Sequence, residues 1–377
     1  MSWRSTAALL LLLTTPLMVP QAMAQKPPET HPASERRDIV SGWDRSTPPS
    51  DIELWAPRTV LGYEDQDTHG YGQLFLTCRS NTDTATGRCP VADTHDTGEG
   101  TGSLVPVRFT EQRSGMTVDL SISAELLRVD ATQACSFDYW SKQPRTISSS
   151  AGPRCSFLSP VGTGAGMRLH SSELGKLVAG RWTATLALRL ERPPAQGLAE
   201  YTFGFDFTIT DYDAVSIYLP EFDDVTPHFG LNLRYDPITQ SVAGRAVLDV
   251  CLYDGLGSQS QYLGITARDT GARPPGGSGY SVWHRDGGTE ANQRLDYTVT
   301  LDHGGMPFRL RNGVEEQLHG IDTARLRLVM LPGMTLPVFC VPTPLTLETP
   351  RVPISSKRPG HYLGDLRLEL RVPSILP

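Results

Sequence analysis

The chain has 377 residues and carries 34 Lys and Arg against 41 Asp and Glu, a formal net charge of −7. An acidic chain lacks the electrostatic footprint of a nucleic-acid binder, and at this length two hydrophobic cores are the better expectation than one. With 35 glycines and 30 prolines, turns are frequent and long helices are disfavoured.

Taken in chain order, the first element is a basic residue, Arg4, followed by an apolar stretch from Ala7 to Leu13 that resumes at Leu17 and closes on Ala22-Met23-Ala24. This is the three-part build of a secretory signal peptide, with small residues where the peptidase cuts, and cleavage is expected after Ala24. A membrane anchor is the rival reading. The apolar run is shorter than the roughly 18 residues a spanning helix needs, and Pro16 interrupts it. Removal of residues 1–24 takes away only Arg4 among the charges, leaving 33 basic against 41 acidic side chains.

Residues 25–50, rich in Pro, Glu, Arg and Ser, are expected to form a loosely ordered arm. Beyond it the signal has period two. Val105-Val107-Phe109, Val118-Leu120-Ile122, Trp182-Ala184-Leu186-Leu188-Leu190 and Tyr201-Phe203-Phe205-Phe207-Ile209 each alternate apolar with mostly polar or small neighbours, which predicts half-buried strands. Pro193-Pro194 and Gly197 place a hairpin-like turn between the last two. The alternation resumes in Val215-Ile217-Leu219, Leu231-Leu233-Tyr235, Leu295-Tyr297-Val299-Leu301, Leu326-Leu328-Met330 and Leu366-Leu368-Leu370-Val372. Only Ser171 to Ala179 reads as helical. The fold class is therefore all-β, two sandwiches in tandem, with the boundary in the acidic turn Thr210-Asp211-Tyr212-Asp213. Residues 25–211 form one domain and 212–377 the other.

Six cysteines, Cys78, Cys89, Cys135, Cys155, Cys251 and Cys340, read as structural disulfides in an exported chain. Fifteen connectivities are open, of which sequential pairing, 78–89, 135–155 and 251–340, is the simplest. No Cys-x-x-Cys occurs and the histidines are dispersed, so no metal site is expected, and no cofactor motif is present.

A search for catalytic spacing finds nothing that carries a mechanism. Gly162-Thr163-Gly164-Ala165-Gly166 and Gly276-Gly277-Ser278-Gly279-Tyr280 miss the nucleotide-binding and nucleophile-elbow patterns and read as loops. Asp93, His95, Asp96 and Glu99 have calcium-ligand chemistry, but their Thr- and Gly-rich setting favours a solvated hairpin tip. Asp223-Asp224 are adjacent, and adjacent residues on a strand cannot flank one bond. The chain is read as a binding and assembly protein with no catalytic residue, a secreted carbohydrate-active enzyme being the remote alternative.

The order of several short strings adds to this reading. Leu76-Thr77-Cys78, Gly87-Arg88-Cys89-Pro90, Phe109-Thr110-Glu111-Gln112-Arg113-Ser114, the Trp182 strand ending in Glu191-Arg192, and Ile217-Tyr218-Leu219-Pro220-Glu221-Phe222 come first. Leu231-Asn232-Leu233-Arg234, Val250-Cys251-Leu252-Tyr253-Asp254-Gly255, Pro337-Val338-Phe339-Cys340 and Gly360-His361-Tyr362-Leu363-Gly364 follow. Together they resemble the tip adhesins of class 5 fimbriae, the minor subunits of CFA/I-type and cable pili.

The resemblance implies an N-terminal adhesin domain and a C-terminal pilin domain, both immunoglobulin-like. It implies that the pilin domain is one strand short, filled first by a periplasmic chaperone and then by a donor strand from the major pilin subunit, with export through an outer-membrane usher to the fimbrial tip. It also implies a basic receptor pocket for a host-surface glycan or protein, in which the arginine at the end of the Trp182 strand is central. That residue is Arg192, with Arg108 and Arg113 as alternatives. This chain departs from the pattern at Gln73, where a second arginine is expected, and at Pro193. A structural pilus initiator without receptor binding is the nearest rival.

Overall fold

The computed structural model describes residues 25–97, 100–152, 155, 159–277, 279–334 and 336–373. The expected signal peptide, residues 1–24, lies outside the described residues, as do Glu99 and Ser278.

The first domain contains β1 (Glu35–Asp44), β2 (Ile52–Tyr63), β3 (Phe75–Cys78), β4 (Ser103–Glu111), β5 (Thr117–Val129), β6 (Gly162–Leu169), β7 (Gly180–Arg192) and β8 (Gln196–Thr210). They hydrogen-bond in the order β1-β8-β7-β4-β5-β6-β2, with β3 also on β7. Alternation does what the sequence predicts. Val105, Val107 and Phe109 of β4, Leu120 and Ile122 of β5, and Phe203 and Phe207 of β8 are buried, while their neighbours face outward. Trp182 fills the centre and donates its indole N–H to the Val178 carbonyl at 2.9 Å, so its polar atom is satisfied as well as its ring.

Three expectations need correction. The arm is not loose throughout, because Glu35–Asp44 forms β1, paired in parallel with Tyr201–Thr210 along ten residues. Its charged composition hid this. Only Ile39 and Trp43 pack on the core, Trp43 edge-on to Phe207 at 5.3 Å, and the rest is held by a backbone ladder that composition does not report. The glycine run 162–166 is likewise no loop but part of β6. A Cβ at Gly164 would stand 2.5 Å from the Trp140 ring, and one at Gly162 2.7 Å from Tyr63, so the glycines let aromatic faces lie directly on the strand. The helix expected over 171–179 is only α1 (Ser171–Leu174), stopped by Gly175.

The second domain is built from β9 (Ser216–Tyr218), β10 (Arg234–Asp236), β11 (Ser241–Leu248), β12 (Cys251–Tyr253), β13 (Tyr262–Asp269), β14 (Tyr280–His284), β15 (Arg294–His303), β16 (Met306–Leu310), β17 (Glu315–His319), β18 (Arg327–Val329), β19 (Val338–Pro342), β20 (Leu345–Pro353), β21 (Tyr362–Leu363) and β22 (Leu366–Arg371). A larger sheet runs β10-β11-β20-β15-β14-β21, with β16 on β15. Two smaller sheets, β18-β19-β12-β9 and β17-β13-β22, pack on it around Leu263, Ile265, Val299 and Leu345. Of the run Leu231-Leu233-Tyr235, only residues from Arg234 enter a strand. Asp223 and Asp224 lie in an exposed loop.

Cysteines pair as 78–89, 135–155 and 251–340. The last bridge joins β12 to β19, and its residues pack into the core of the first domain together with Tyr253, Leu331 and Val338. At this junction Arg45 Nη1 donates to Asp211 Oδ2 at 2.7 Å, the Asp211 N–H donates to the Gly255 carbonyl at 2.7 Å, and Arg113 reaches the Ile321 carbonyl at 3.4 Å and the Ala324 carbonyl.

Candidate binding pole and open strand edges

Strand direction sorts the expected arginines. β7 runs antiparallel to β4 and to β8, so its C-terminus lies at the pole opposite Thr210, where the chain leaves for the second domain. Arg192, the last residue of β7, therefore stands at the free pole. Arg113, in the turn from β4 to β5, stands at the junction and bonds to the second domain. Arg108 lies on the outer face of β4 between Asp83 at 3.1 Å and Asp119 at 3.9 Å. The three do not share a pocket.

Arg192 is half-buried, and its guanidinium meets neutral acceptors. Nε donates to Gln196 Oε1 at 3.1 Å, Nη2 to the same oxygen and Nη1 to the His69 carbonyl. The hairpin that presents it is a three-residue turn in which Arg192 pairs with Gln196 across a cis Pro193-Pro194 bond. Gln73, exposed at the end of a 3-10 turn, carries no charge of its own. Histidine stands where sequence reasoning did not look. His69, whose side chain is 54% exposed, bonds through Nδ1 to Glu64 Oε2 at 2.7 Å, stacks on Tyr71 at 5.3 Å and meets the His31 ring edge-on at 5.8 Å. His31, the 64–71 segment and Arg192 are too far apart in the chain for any local motif to reveal the group.

Burial alone would raise the Glu64 carboxyl, but hydrogen bonds from the His69 side chain and backbone outweigh it and hold the group below the usual carboxylate range. Burial pushes the Tyr71 phenol up, with Glu64 adding to the effect and Arg192 opposing it. Beneath the pole, Arg128 is fully buried and donates to the carbonyls of Leu74, Ser149 and Ala151 and to Thr163 Oγ1. Burial, and then the nearby Arg145, lower it to about 9. It is a structural cation, out of a ligand's reach. Asp93 accepts from the backbone of His95 and Ser150, so that loop is tied to the 148–150 segment.

The second feature is that two edge strands of the second domain, β9 and β22, lie beside each other. Among the described residues, β22 pairs only with β13, and β9 only with β12. β9 and β22 approach one another with no ladder between them. Leu366, Leu368, Leu370 and Val372 beside β22, and Ile217, Leu219 and Phe222 beside β9, are half-buried against the second core. Ser216 Oγ is buried with no hydrogen-bond partner. A groove of about 660 Å³ opens next to β9 at the junction, lined by Arg45, Asp211, Ile217, Phe222, Leu331 and Met334 among others.

Comparison with known proteins assigns the architecture. A family model for the first domain of CfaE, the E subunit of CFA/I fimbriae, matches residues 20–212, and its companion for the second domain matches residues 215–374. The chain is 26% identical over 309 residues to this CFA/I fimbrial protein of Escherichia coli, covering 80% of each. The crystal structure of CfaE, the adhesive subunit of CFA/I fimbria of enterotoxigenic Escherichia coli, superposes with a TM-score of 0.69 at 22% identity, over 93% of this chain and 95% of that one. A chaperone–tip adhesin complex from CFA/I fimbriae biogenesis superposes with a TM-score of 0.64 at 21% identity, over 93% and 99%. The sandwiches and the order of strands thus follow a known plan, and the chain belongs to the CfaE family of CFA/I fimbrial adhesin subunits.

Proposed function

We propose that this chain is the tip subunit of an adhesive fimbria. Residues 25–211 hold a host-surface glycan or protein receptor at the free pole around Arg192, and residues 212–377 are an incomplete pilin domain. A periplasmic chaperone covers that domain during export, an outer-membrane usher passes it on, and a donor strand from the major pilin subunit replaces the chaperone. The likeness to an adhesive fimbrial subunit and to a chaperone–tip adhesin complex supports this class of protein.

The observation that carries the assembly half is the pair of edges left by β9 and β22, each with one hydrogen-bonded neighbour and a row of half-buried apolar side chains. An added strand satisfies the backbone groups while its alternate side chains cover the apolar row. It needs roughly 9.6 Å between the strands it joins, twice the interstrand spacing, so β9 moves away from β22 when it enters.

The adhesion half rests on Arg192, whose hydrogen bonds among the described residues go to neutral acceptors at the pole farthest from the fibre. Paired hydrogen bonds from a guanidinium suit an anionic receptor group. The test has two arms. Fusing a major-subunit N-terminal peptide after Pro377 through a flexible linker is expected to turn an aggregating chain into a monomer that melts well above the unfused chain, since the strand binds only the folded state. Arg192→Ala in assembled fimbriae is expected to lower host-cell adherence about tenfold or more, the effect of losing a charge-assisted hydrogen bond. An unfused chain that is already monomeric and indifferent to the peptide refutes the assembly reading. Wild-type fimbriae that adhere to no host surface refute the adhesion reading and leave a structural initiator.

A further inference from the structure

The free pole carries one residue that neither the strand pattern nor the placement of the arginines singles out. β5 runs in the same direction as β7, since both are antiparallel to β4, so the excursion that leaves β5 after Val129 starts at the pole of Arg192. The foot of the excursion is tied to this pole: the Val161 N–H donates to the Val129 carbonyl, Gly72 lies directly against Pro160, and the carbonyl of His69, three residues before Gly72, accepts from Arg192. Within the excursion, the Cys135 N–H donates to the Asp138 carbonyl at 3.1 Å, across Ser136 and Phe137. Ser136 has φ 56° and Phe137 φ 68°, two consecutive residues in the left-handed region that Gly and Asn tolerate best.

Phenylalanine gains nothing for the fold here. It is 88% exposed, exceeded among the large apolar side chains of the described residues only by Val225 and Ile238 at 93%, and it occupies backbone space that glycine would fill without strain. The turn is nonetheless held firmly. Cys135 is bridged to Cys155, Asp138 Oδ2 accepts from Arg58 Nη2 at 2.8 Å while its Oδ1 accepts from the Trp140 N–H at 3.2 Å, and Arg58 lies over the Trp140 ring at 5.8 Å. A bare aromatic ring on a fixed base loses little conformational freedom on binding.

We infer that Phe137 is a second receptor contact, packing the face of its ring on the C–H face of a sugar in the same host oligosaccharide whose polar groups engage Arg192. The inference rests on the adhesin reading and adds to it a ligand class. The ring is flat and open, and none of the three grooves at Ile217, Ser123 and Tyr235 reaches it. A peptide anchor wants a pocket, whereas a pyranose offers hydroxyls on its rim and weakly positive C–H groups on its face, which match a guanidinium and the negative face of an aromatic ring.

The test uses bacteria bearing the full chain in assembled fimbriae, applied to a microarray of neutral and sialylated oligosaccharides and, in parallel, to enzymatically deglycosylated host surface proteins. Wild type is expected to bind saccharide spots. Phe137→Ala and Phe137→Gly are expected to lose about tenfold or more of that binding with fimbriation unchanged, Phe137→Trp to keep it, and Phe137→Gly to leave the melting temperature of the chain equal or higher, which separates the effect from misfolding. Phe137→Gly binding like wild type while Arg192→Ala fails overturns the inference and leaves the adhesin reading intact. Wild-type binding confined to the deglycosylated proteins overturns the sugar assignment, and no binding by wild type to either surface overturns the adhesin reading with it.

Discussion

In the first domain the exposed edge of β8 is covered by the chain's own N-terminal arm, which lies along it in parallel for ten residues. In the second domain the edge of β22 has no such cover among the described residues, although its side chains alternate as regularly as those of β8. The difference shows in burial: β8 buries Tyr201, Phe203, Phe205, Phe207 and Ile209, whereas every apolar residue of β22 remains half-buried. One chain thus meets the open-edge problem in two ways, by supplying its own strand at one end and, on the assembly proposed above, by leaving the edge to a partner's strand at the other. Bridge placement follows the same division. The long 251–340 crosslink lies in the domain whose strands are shorter on average, while the first domain carries two short bridges.

The largest effect that tests this contrast is on the bridges. Replacing Cys251 and Cys340 with Ser opens a loop of 89 residues and should cost roughly 4.6 kcal/mol through the unfolded chain, against roughly 2.8 kcal/mol for Cys78 and Cys89, which close 11 residues. Guanidinium unfolding of the two double variants should order them in that way. The reverse order would mean that the second domain is stabilised by something other than its crosslink.

A smaller effect sharpens the comparison at the edge itself. Leu368→Ala on β22 should cost about 1 kcal/mol or less in the chain alone, because its side chain is already partly in water. With a donor strand fused, the same substitution should approach the roughly 2–5 kcal/mol typical of a core leucine. Equal costs in both forms would show that no strand covers β22.

The smallest effect concerns the arm. Burial pushes the Asp44 carboxyl up, but hydrogen bonds from the Ser46 hydroxyl and N–H, the Thr210 hydroxyl and the Tyr212 N–H outweigh it and hold the group at about 2. A carboxyl lower in the folded than in the unfolded chain stabilises fully above its ordinary value near 4, and the contribution disappears as pH falls toward about 2. Partial exposure discounts it to on the order of 1–2 kcal/mol. Asp44→Asn should therefore lower the melting temperature at about pH 7 and flatten its dependence between about pH 4 and pH 2. An unchanged pH profile would detach the arm from the stability of the first domain.

By itself the sequence determined where most strands lie, because a strand with one face in a core alternates, as Trp182–Leu190, Tyr201–Ile209 and Leu366–Leu370 do, although the alternating Leu231-Leu233-Tyr235 enters a strand only from Arg234. Arg192, the last residue of one such strand, was singled out only through the resemblance to fimbrial tip adhesins. What the tertiary structure alone decided depends on partners distant in the chain. The arm became β1 because β8 offered a free ladder, and the glycines of 162–166 became a buried strand because Trp140 and Tyr63 needed flat ground. Arg113 and Arg192 went to opposite poles because adjacent strands reverse direction. His31, Glu64, His69 and Tyr71 gathered beside Arg192 through the same folding of the sheet. Burial is written locally in apolar spacing, but backbone pairing and electrostatic neighbourhood belong to whichever segments the fold brings side by side.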